Sequence, residues 1–173
     1  MSAIITSIYN CPVKSISFQN IDKCKINKNI GIEGDRVFAF SQNLDLDQSK
    51  EFEKNPEARK GKWNKIVTLK NTPVFNKYNF IHEDNNLTLI LKDKEIITIN
   101  INNFGERDNL VKKLIELESS LKNDIRLMRN DEHPFYDTSI SNKSMFKNSI
   151  SLLNINSIKD FENKIDRKIE TSI

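Results

Sequence analysis

The fold of this chain is decided by residues 8–36, which read IYNCPVKSISFQNIDKCKINKNIGIEGDR. Pro12 fixes its own φ and biases Cys11 toward an extended conformation, so a short strand should end in a constrained turn at residues 12–15. Gly31 and Gly34 are two of only four glycines in the chain, and glycine permits positive φ and a close approach of backbone to a partner. The stretch therefore predicts a strand followed by two sharp turns.

The two turns carry the side chains of a candidate anion site. Lys14 provides a point charge, Ser15 a hydroxyl and Arg36 a forked guanidinium. Together with the amides of a glycine turn, these groups are the ones that hold a phosphate or a similar oxyanion. A predicted strand over residues 21–26 would bring both cations to one edge of a sheet. The alternative is two ordinary surface turns, with Asp35 and Arg36 paired at the surface.

These motifs resemble those of the MOSC family, the molybdenum cofactor sulfurase C-terminal domain proteins. In that family a β-barrel half opens with Y-P-V-K-S/G and then G-L-x-G-D-R, which CPVKS at 11–15 and GIEGDR at 31–36 match. Residues 150–164, ISLLNINSIKDFENK, are similar to a later family segment, V-S-L-I-N-x-x-S-V-x-D-L-E-x-K. The residues between these segments are matched only by pattern, and Cys11 stands where the family usually has an aromatic residue.

The resemblance implies a function. The family binds a molybdenum–pterin cofactor for sulfur transfer or for reduction of N-oxygenated substrates, and it is also associated with pyridoxal phosphate binding. Applied to this chain, the resemblance implies that Lys14, Ser15 and Arg36 hold the cofactor's phosphate. It assigns no catalytic residue and no metal ligand. Arg36 should matter most for orientation, because arginine gives a bidentate grip. A redox or sulfur-donor protein is the implied partner.

The family's second half has no counterpart in this sequence. In MOSC proteins the segment matched at 150–164 opens that half, which continues into an R-F-R-x-N-like motif and the cysteine that ligates molybdenum. We therefore expect an N-terminal β-barrel-like domain at residues 1–128, and a linker with the truncated start of the MOSC domain at residues 129–173. This makes the chain a fragment or a truncated relative and leaves its activity as an enzyme open. The alternative function is a non-enzymatic module that binds another anion or a protein partner.

Composition narrows the classes of function. The 173 residues include 27 basic and 24 acidic side chains, a net charge of +3, and no basic patch that would favour nucleic acid. No apolar run approaches the roughly 18 residues that would indicate a membrane span, and the N-terminus has no basic leader. We expect a cytoplasmic protein in which Cys11 and Cys24 are reduced and buried or half-buried. The resemblance implies that neither is the molybdenum ligand, because the family's ligand comes from its second half.

Hydrophobic periodicity predicts a mainly β, α+β fold: a small antiparallel barrel over residues 1–101, then a helix and the beginning of a second β-rich module. The predicted strands lie at 3–9, 21–26, 37–40, 78–82, 87–91, 95–101, 124–128 and 149–153. Apolar alternation also returns at 63–69. Residues 44–62 are polar and interrupted by Pro56 and Gly61, which predicts a mobile loop that contains at most one helical turn.

Two segments have the period of a helix. Apolar residues at spacings of three and four predict an amphipathic helix at 106–121. A variant capping box predicts a short helix beginning near Ser157, with Ile158, Phe161 and Ile165 as its buried stripe. The histidines receive no catalytic role: His82 is interpreted as structural or exposed, and His133 as part of a surface loop rather than a metal site.

Overall fold

The described part of the chain combines small antiparallel sheets with helices. The computed structural model describes residues 4–28, 30–121, 124–136 and 153–168. The strands are β1 (Ile8–Asn10), β2 (Gln19–Ile21), β3 (Ile26–Asn27), β4 (Gly31–Ile32), β5 (Phe38–Ser41), β6 (Tyr78–Glu83), β7 (Asn86–Leu91), β8 (Lys94–Asn100) and β9 (Arg126–Arg129). The helices are α1 (Leu46–Lys54), α2 (Phe104–Leu117) and α3 (Ile155–Ile165), with short 3-10 helices at Pro56–Arg59, Trp63–Lys65 and Pro73–Lys77. The predicted α+β class is confirmed.

The predicted closed barrel is wrong for the described part of the chain. The strands form separate sheets, β1–β2, β3–β4, β5–β9 and β6–β7–β8. A barrel needs each strand to pair on both sides, whereas the strands between residues 19 and 32 are two or three residues long and pair only within hairpins. Strand β5 instead pairs with β9, which lies outside the predicted barrel.

The predicted strand at 21–26 is also wrong. Strand β2 ends at Ile21 and β3 begins only at Ile26, and the residues between them are not in a strand. These four residues include Asp22, Lys23 and Lys25, whose charged side chains are exposed. Cys24 lies among them and is exposed as well, which corrects its predicted burial.

The three strands predicted between residues 78 and 101 are confirmed and form the antiparallel meander β6–β7–β8. Tyr78 pairs with Leu91 across β6 and β7, and Leu87 pairs with Ile99 across β7 and β8. Lys92 and Asp93 connect β7 to β8 with positive φ at both positions, the backbone of a tight hairpin turn whose twist suits antiparallel strands.

Helix α2 supplies the other side of the main core. Asn103 caps it by accepting hydrogen bonds from the backbone N–H groups of Gly105 and Glu106. The predicted periodicity is confirmed, since Leu110, Val111 and Leu114 are buried, although the helix ends at Leu117 rather than residue 121. These residues share one hydrophobic cluster with the sheet side chains Phe38, Phe40, Phe80, Leu87, Leu89 and Ile99.

Helix α1 replaces the loop predicted at 44–62. A capping box starts the helix: the Asp45 carboxylate accepts from the Gln48 N–H at 2.8 Å, and the Asp45 N–H donates to the Gln48 side chain. Ser49 and Phe52 are its buried residues. A second core cluster contains Phe52 together with Ala39, Leu44, Ile66, Met128 and Phe135.

Strand β5 separates the two clusters. All four of its residues are buried, and because successive side chains of a strand point to opposite faces, Phe38 and Phe40 enter the main cluster while Ala39 enters the second. A strand packed on both faces is well fixed, so groups at its N-terminal end are held rigidly.

Side chains, rather than a further strand, occupy the outer edge of β6. The Phe80 N–H donates to the Ser17 hydroxyl at 2.9 Å. The Gln19 side chain accepts from the His82 N–H at 2.9 Å and donates to the His82 carbonyl at 3.3 Å. The β1–β2 hairpin is thereby tied to the meander.

Helix α3 begins at Ile155, where Asn154 caps it by accepting from the Asn156 N–H at 2.9 Å. None of its residues is buried. The predicted buried stripe is therefore wrong: Phe161 is 53% exposed, because an amphipathic pattern specifies a face but not a partner for it. The predicted strand at 149–153, except residue 153, lies outside the described residues. No described helix is long and apolar enough to cross a membrane.

Candidate functional site

The two sequence motifs are joined through their backbones. Arg36 donates its N–H to the Cys11 carbonyl at 2.6 Å, and Phe38 donates to the Pro12 carbonyl at 3.0 Å. Lys14 in turn donates its N–H to the Phe38 carbonyl at 2.8 Å. These bonds form a short parallel pairing of residues 11–14 with residues 36–38, centred on Val13 and Phe38. We call this junction the paired-turn site.

Arg36 is the more accessible cation of the site. Its backbone is left-handed, with φ of 53°, and its side chain is 31% exposed. Nη1 is paired with the Asp35 carboxylate, and the guanidinium lies over the Tyr136 ring, 5.6 Å from its centroid. Among the described residues, Nε and Nη2 of Arg36 have no hydrogen-bond partner, so two donors remain for a ligand.

Asp35 ties the two motifs together through its side chain. Its Oδ1 accepts from the Cys11 N–H at 2.7 Å, while Oδ2 contacts Arg36. The carboxylate is buried, so the pairing of Asp35 with Arg36 is not the solvated surface pair of the alternative interpretation. Sequence reasoning gave Asp35 no part in the site, although its place beside Arg36 was a usable signal.

Lys14 and Ser15 occupy the tight turn of the first motif. The turn is closed by the Ile16 N–H, which donates to the Val13 carbonyl at 3.2 Å, and Ser15 has a left-handed φ of 60°. Lys14 is only 4% exposed, whereas the Arg36 side chain is partly exposed. The structure thus joins the backbones of the predicted site residues and gives their side chains different access to a ligand.

The Cys11 thiol lies inside the same turn. Its Sγ donates to the Val13 carbonyl at 3.1 Å, and the residue is buried, as predicted. Burial raises the pKa of the Cys11 thiol above its usual value, and the nearby Arg36 only partly opposes this. A protonated thiol is a poor nucleophile and a poor metal ligand, so Cys11 serves the packing of the turn.

Two polar side chains, those of Asn10 and His82, lie close to Gly34 of the second motif. Gly34 has φ of +82°, and a Cβ at this position would lie 3.5 Å from Asn10 Nδ2 and 3.8 Å from His82 Nδ1. Asn10 is only 7% exposed. Within the described part of the chain, Asn10 Oδ1 and His82 Nε2 are buried without a hydrogen-bond partner. Their approach to Gly34 depends on the β1–β2 hairpin and the meander, which no local sequence pattern signals.

His82 is held in its neutral form. Burial lowers the pKa of the imidazole, and the positive charge of Arg129 lowers it further, while Asp131 and Asp84 oppose the shift. The ring makes an edge contact with Phe38, with centroids 5.1 Å apart. His82 thus links strand β6 to the first residue of β5, next to the paired-turn site.

The donor set suits a phosphate better than a metal ion. Guanidinium, ammonium and hydroxyl groups, the kinds that Arg36, Lys14 and Ser15 carry, are the usual partners of an oxyanion. In the ranges that the structure describes, no group of three or more His, Cys, Asp or Glu side chains is placed to hold a metal ion. Asp35 neutralises part of the Arg36 charge, which limits how tightly an anion can bind.

No family model, curated protein or solved structure matches this chain. The resemblance to the MOSC family therefore depends on the motifs at 11–15, 31–36 and 150–164, and it stays a prediction. The same is true of the assignment of Lys14, Ser15 and Arg36 to a cofactor.

Proposed function

We propose that this chain binds the phosphate of a molybdenum–pterin cofactor at the paired-turn site. The observation that supports this most strongly is the backbone pairing of residues 11–14 with residues 36–38. Two motifs that are separate in sequence are joined by backbone hydrogen bonds, and each contains a cationic residue. The MOSC resemblance supplies the identity of the cofactor, and the geometry supplies a reason for the two motifs to occur together.

Each residue would have a distinct role in holding the phosphate. Arg36 would donate through Nε and Nη2, the fork that gives arginine its bidentate grip on oxyanions. Lys14 would add positive charge from within the turn, and Ser15 a hydroxyl. When bound, the cofactor would supply sulfur transfer or reduction of N-oxygenated substrates, with a redox or sulfur-donor protein as partner. Pyridoxal phosphate offers the same phosphate chemistry to this site.

We infer that the protein works in the cytoplasm. Cys11 and Cys24 are both free thiols, and thiols persist where the compartment is reducing. This placement agrees with a cofactor that is made and used inside the cell.

The proposal is tested by molybdenum analysis of protein expressed in a host that makes the cofactor. Wild-type protein should retain molybdenum after purification, and Arg36→Ala should retain about tenfold less, because a charged hydrogen bond contributes about 1.5–3 kcal/mol and this one is partly solvated. Arg167→Ala removes an exposed arginine outside the site and should behave as wild type. Absence of molybdenum from wild type, or equal retention by Arg36→Ala, would contradict the proposal.

The alternative function is separated by titration with inorganic phosphate. A module that holds some other anion would bind phosphate, lose affinity in Arg36→Ala and carry no molybdenum. A module that binds only a protein partner would neither bind phosphate nor retain molybdenum. The two measurements together assign the paired-turn site to one of the three classes.

A further inference from the structure

The residues that follow β9 pack directly on the second motif. Asn130 donates its N–H to the Val37 carbonyl at 2.9 Å, and Phe135 donates to the Arg36 carbonyl at 2.8 Å. Residue 36 is therefore held on both sides, since its N–H is bonded to Cys11 and its carbonyl to Phe135. This segment, residues 130–136, is a third component of the site that neither sequence motif contains.

Phe135 anchors the segment in the second core cluster. It is buried there, and the Arg59 guanidinium stacks on its ring at 3.9 Å from the centroid. Arg59 also donates to the His133 carbonyl at 2.7 Å and to the Phe52 carbonyl at 2.6 Å. An anchor of this kind fixes the position of the next residue, Tyr136.

Tyr136 extends from this anchor to both sides of the second motif. Its hydroxyl donates to the Ile30 carbonyl at 2.6 Å, just before the first glycine of the motif. Its ring lies under the Arg36 guanidinium, within the range of a cation–π contact. The pKa of Tyr136 is raised to about 12, chiefly by burial and also by Asp35, while Arg36 opposes the shift. The phenol therefore keeps its proton and its bond to Ile30 at neutral pH.

We propose that Tyr136 is a positioning residue of the paired-turn site, with its ring setting the direction of the Arg36 guanidinium and its hydroxyl fixing the start of the glycine turn. Asp35 fixes one nitrogen of the Arg36 guanidinium, and the Tyr136 ring fixes the orientation of the guanidinium plane. Nε and Nη2 are thereby presented as a fixed fork, which reduces the conformational entropy lost when an anion binds. The expected effect of Tyr136 on anion affinity rests on the proposed function, but its effect on the orientation of the Arg36 side chain does not.

The first test needs no ligand. In the nuclear magnetic resonance spectrum of the full chain, the Arg36 Nε–Hε signal is assigned by its loss in Arg36→Lys. It should carry a ring-current shift, and Tyr136 ring protons should show nuclear Overhauser contacts to the Arg36 side chain. Tyr136→Leu should abolish the shift, Tyr136→Phe should keep it, and Tyr9→Leu is the matched control. Absence of the Overhauser contacts in wild type, or an unchanged shift in Tyr136→Leu, would overturn the proposal.

The second test is a titration of the same proteins with inorganic phosphate. Tyr136→Leu should weaken phosphate binding about threefold, the size of an exposed cation–π contribution, and Tyr136→Phe should weaken it less. If Arg36→Ala weakens binding and Tyr136→Leu does not, the positioning role is wrong. If wild type binds no phosphate while the Arg36 signal still responds to Tyr136→Leu, the anion site is wrong and the contact between Tyr136 and Arg36 stands.

Discussion

At the scale of single residues, the polar side chains of Asn10 and His82 pack close to Gly34. Asn10 and His82 each bury a polar atom that has no partner in the described part of the chain, and a buried, unpaired polar group costs about 1–3 kcal/mol. Gly34 avoids a further penalty, because its positive φ strains any residue with a Cβ. Asn10 and His82 therefore lie beside the glycine turn that leads to Arg36, the residue that we assign to the anion.

His82 should make the stability of the protein depend on pH. Its pKa is lowered by burial in the folded state, so the unfolded chain takes up the proton first as the pH falls. The contribution of the neutral His82 ring to the free energy of unfolding is complete above the ordinary histidine pKa of about 6.5. It is lost as the pH decreases below that pKa. Urea unfolding of wild type between pH 8 and 5 should show this loss, and His82→Gln should flatten the curve.

The matched control for this prediction is His133→Gln. It replaces the chain's other histidine and keeps His82, so it should retain the pH dependence. An equally steep loss of stability in His82→Gln and wild type would assign the effect to other groups.

At the scale of elements, helix α1 depends on its cap. The segment is highly polar, and Phe52 is its one large buried side chain. Asp45→Ala removes the acceptor for the Gln48 N–H and should lower the free energy of unfolding by about 1 kcal/mol. Chemical denaturation measures this loss. Asp47→Ala, an exposed acidic residue of the same turn without the capping bond, should cost less, and an equal loss in both variants would mean that the capping box contributes nothing.

Helix α1 also shows where sequence reasoning succeeds and fails. Residues 78–101 and helix α2 were predictable because their apolar positions repeat with the period of a strand or a helix over a long run. Helix α1 buries only Ser49 and Phe52, so that signal is too weak, and its start is marked only by the Asp45–Gln48 box.

The residues of the candidate site also fall into those that the sequence could predict and those that it could not. Lys14, Ser15 and Arg36 stand within short motifs and were visible in the sequence, and the paired backbones agree with one site formed by two turns. Tyr136 lies 106 residues from its partner Ile30, and His82 reaches Gly34 only after the meander has formed. Contacts over such distances depend on tertiary packing, which local periodicity does not report.

At the scale of the whole molecule, protection of the backbone should be uneven. Strands β6–β8 share the main core with helix α2, whereas no residue of helix α3 is buried, and isolated helices shorter than about 12–15 residues are marginal in water. Hydrogen exchange should therefore be much faster in Ile155–Ile165 than in residues 78–100. Equal protection of the two regions would show that α3 is stabilised by contacts outside the described residues.

The outer edge of β6 has a consequence for how the molecule behaves in a crowded solution. An open strand edge presents a row of backbone donors and acceptors that can recruit a strand from another molecule and start a fibril. Here the side chains of Ser17 and Gln19 already occupy the Phe80 and His82 positions of that row. Two polar side chains of the β1–β2 hairpin thus oppose the pairing of this edge with a strand from another molecule, and they do so without adding a strand to the sheet.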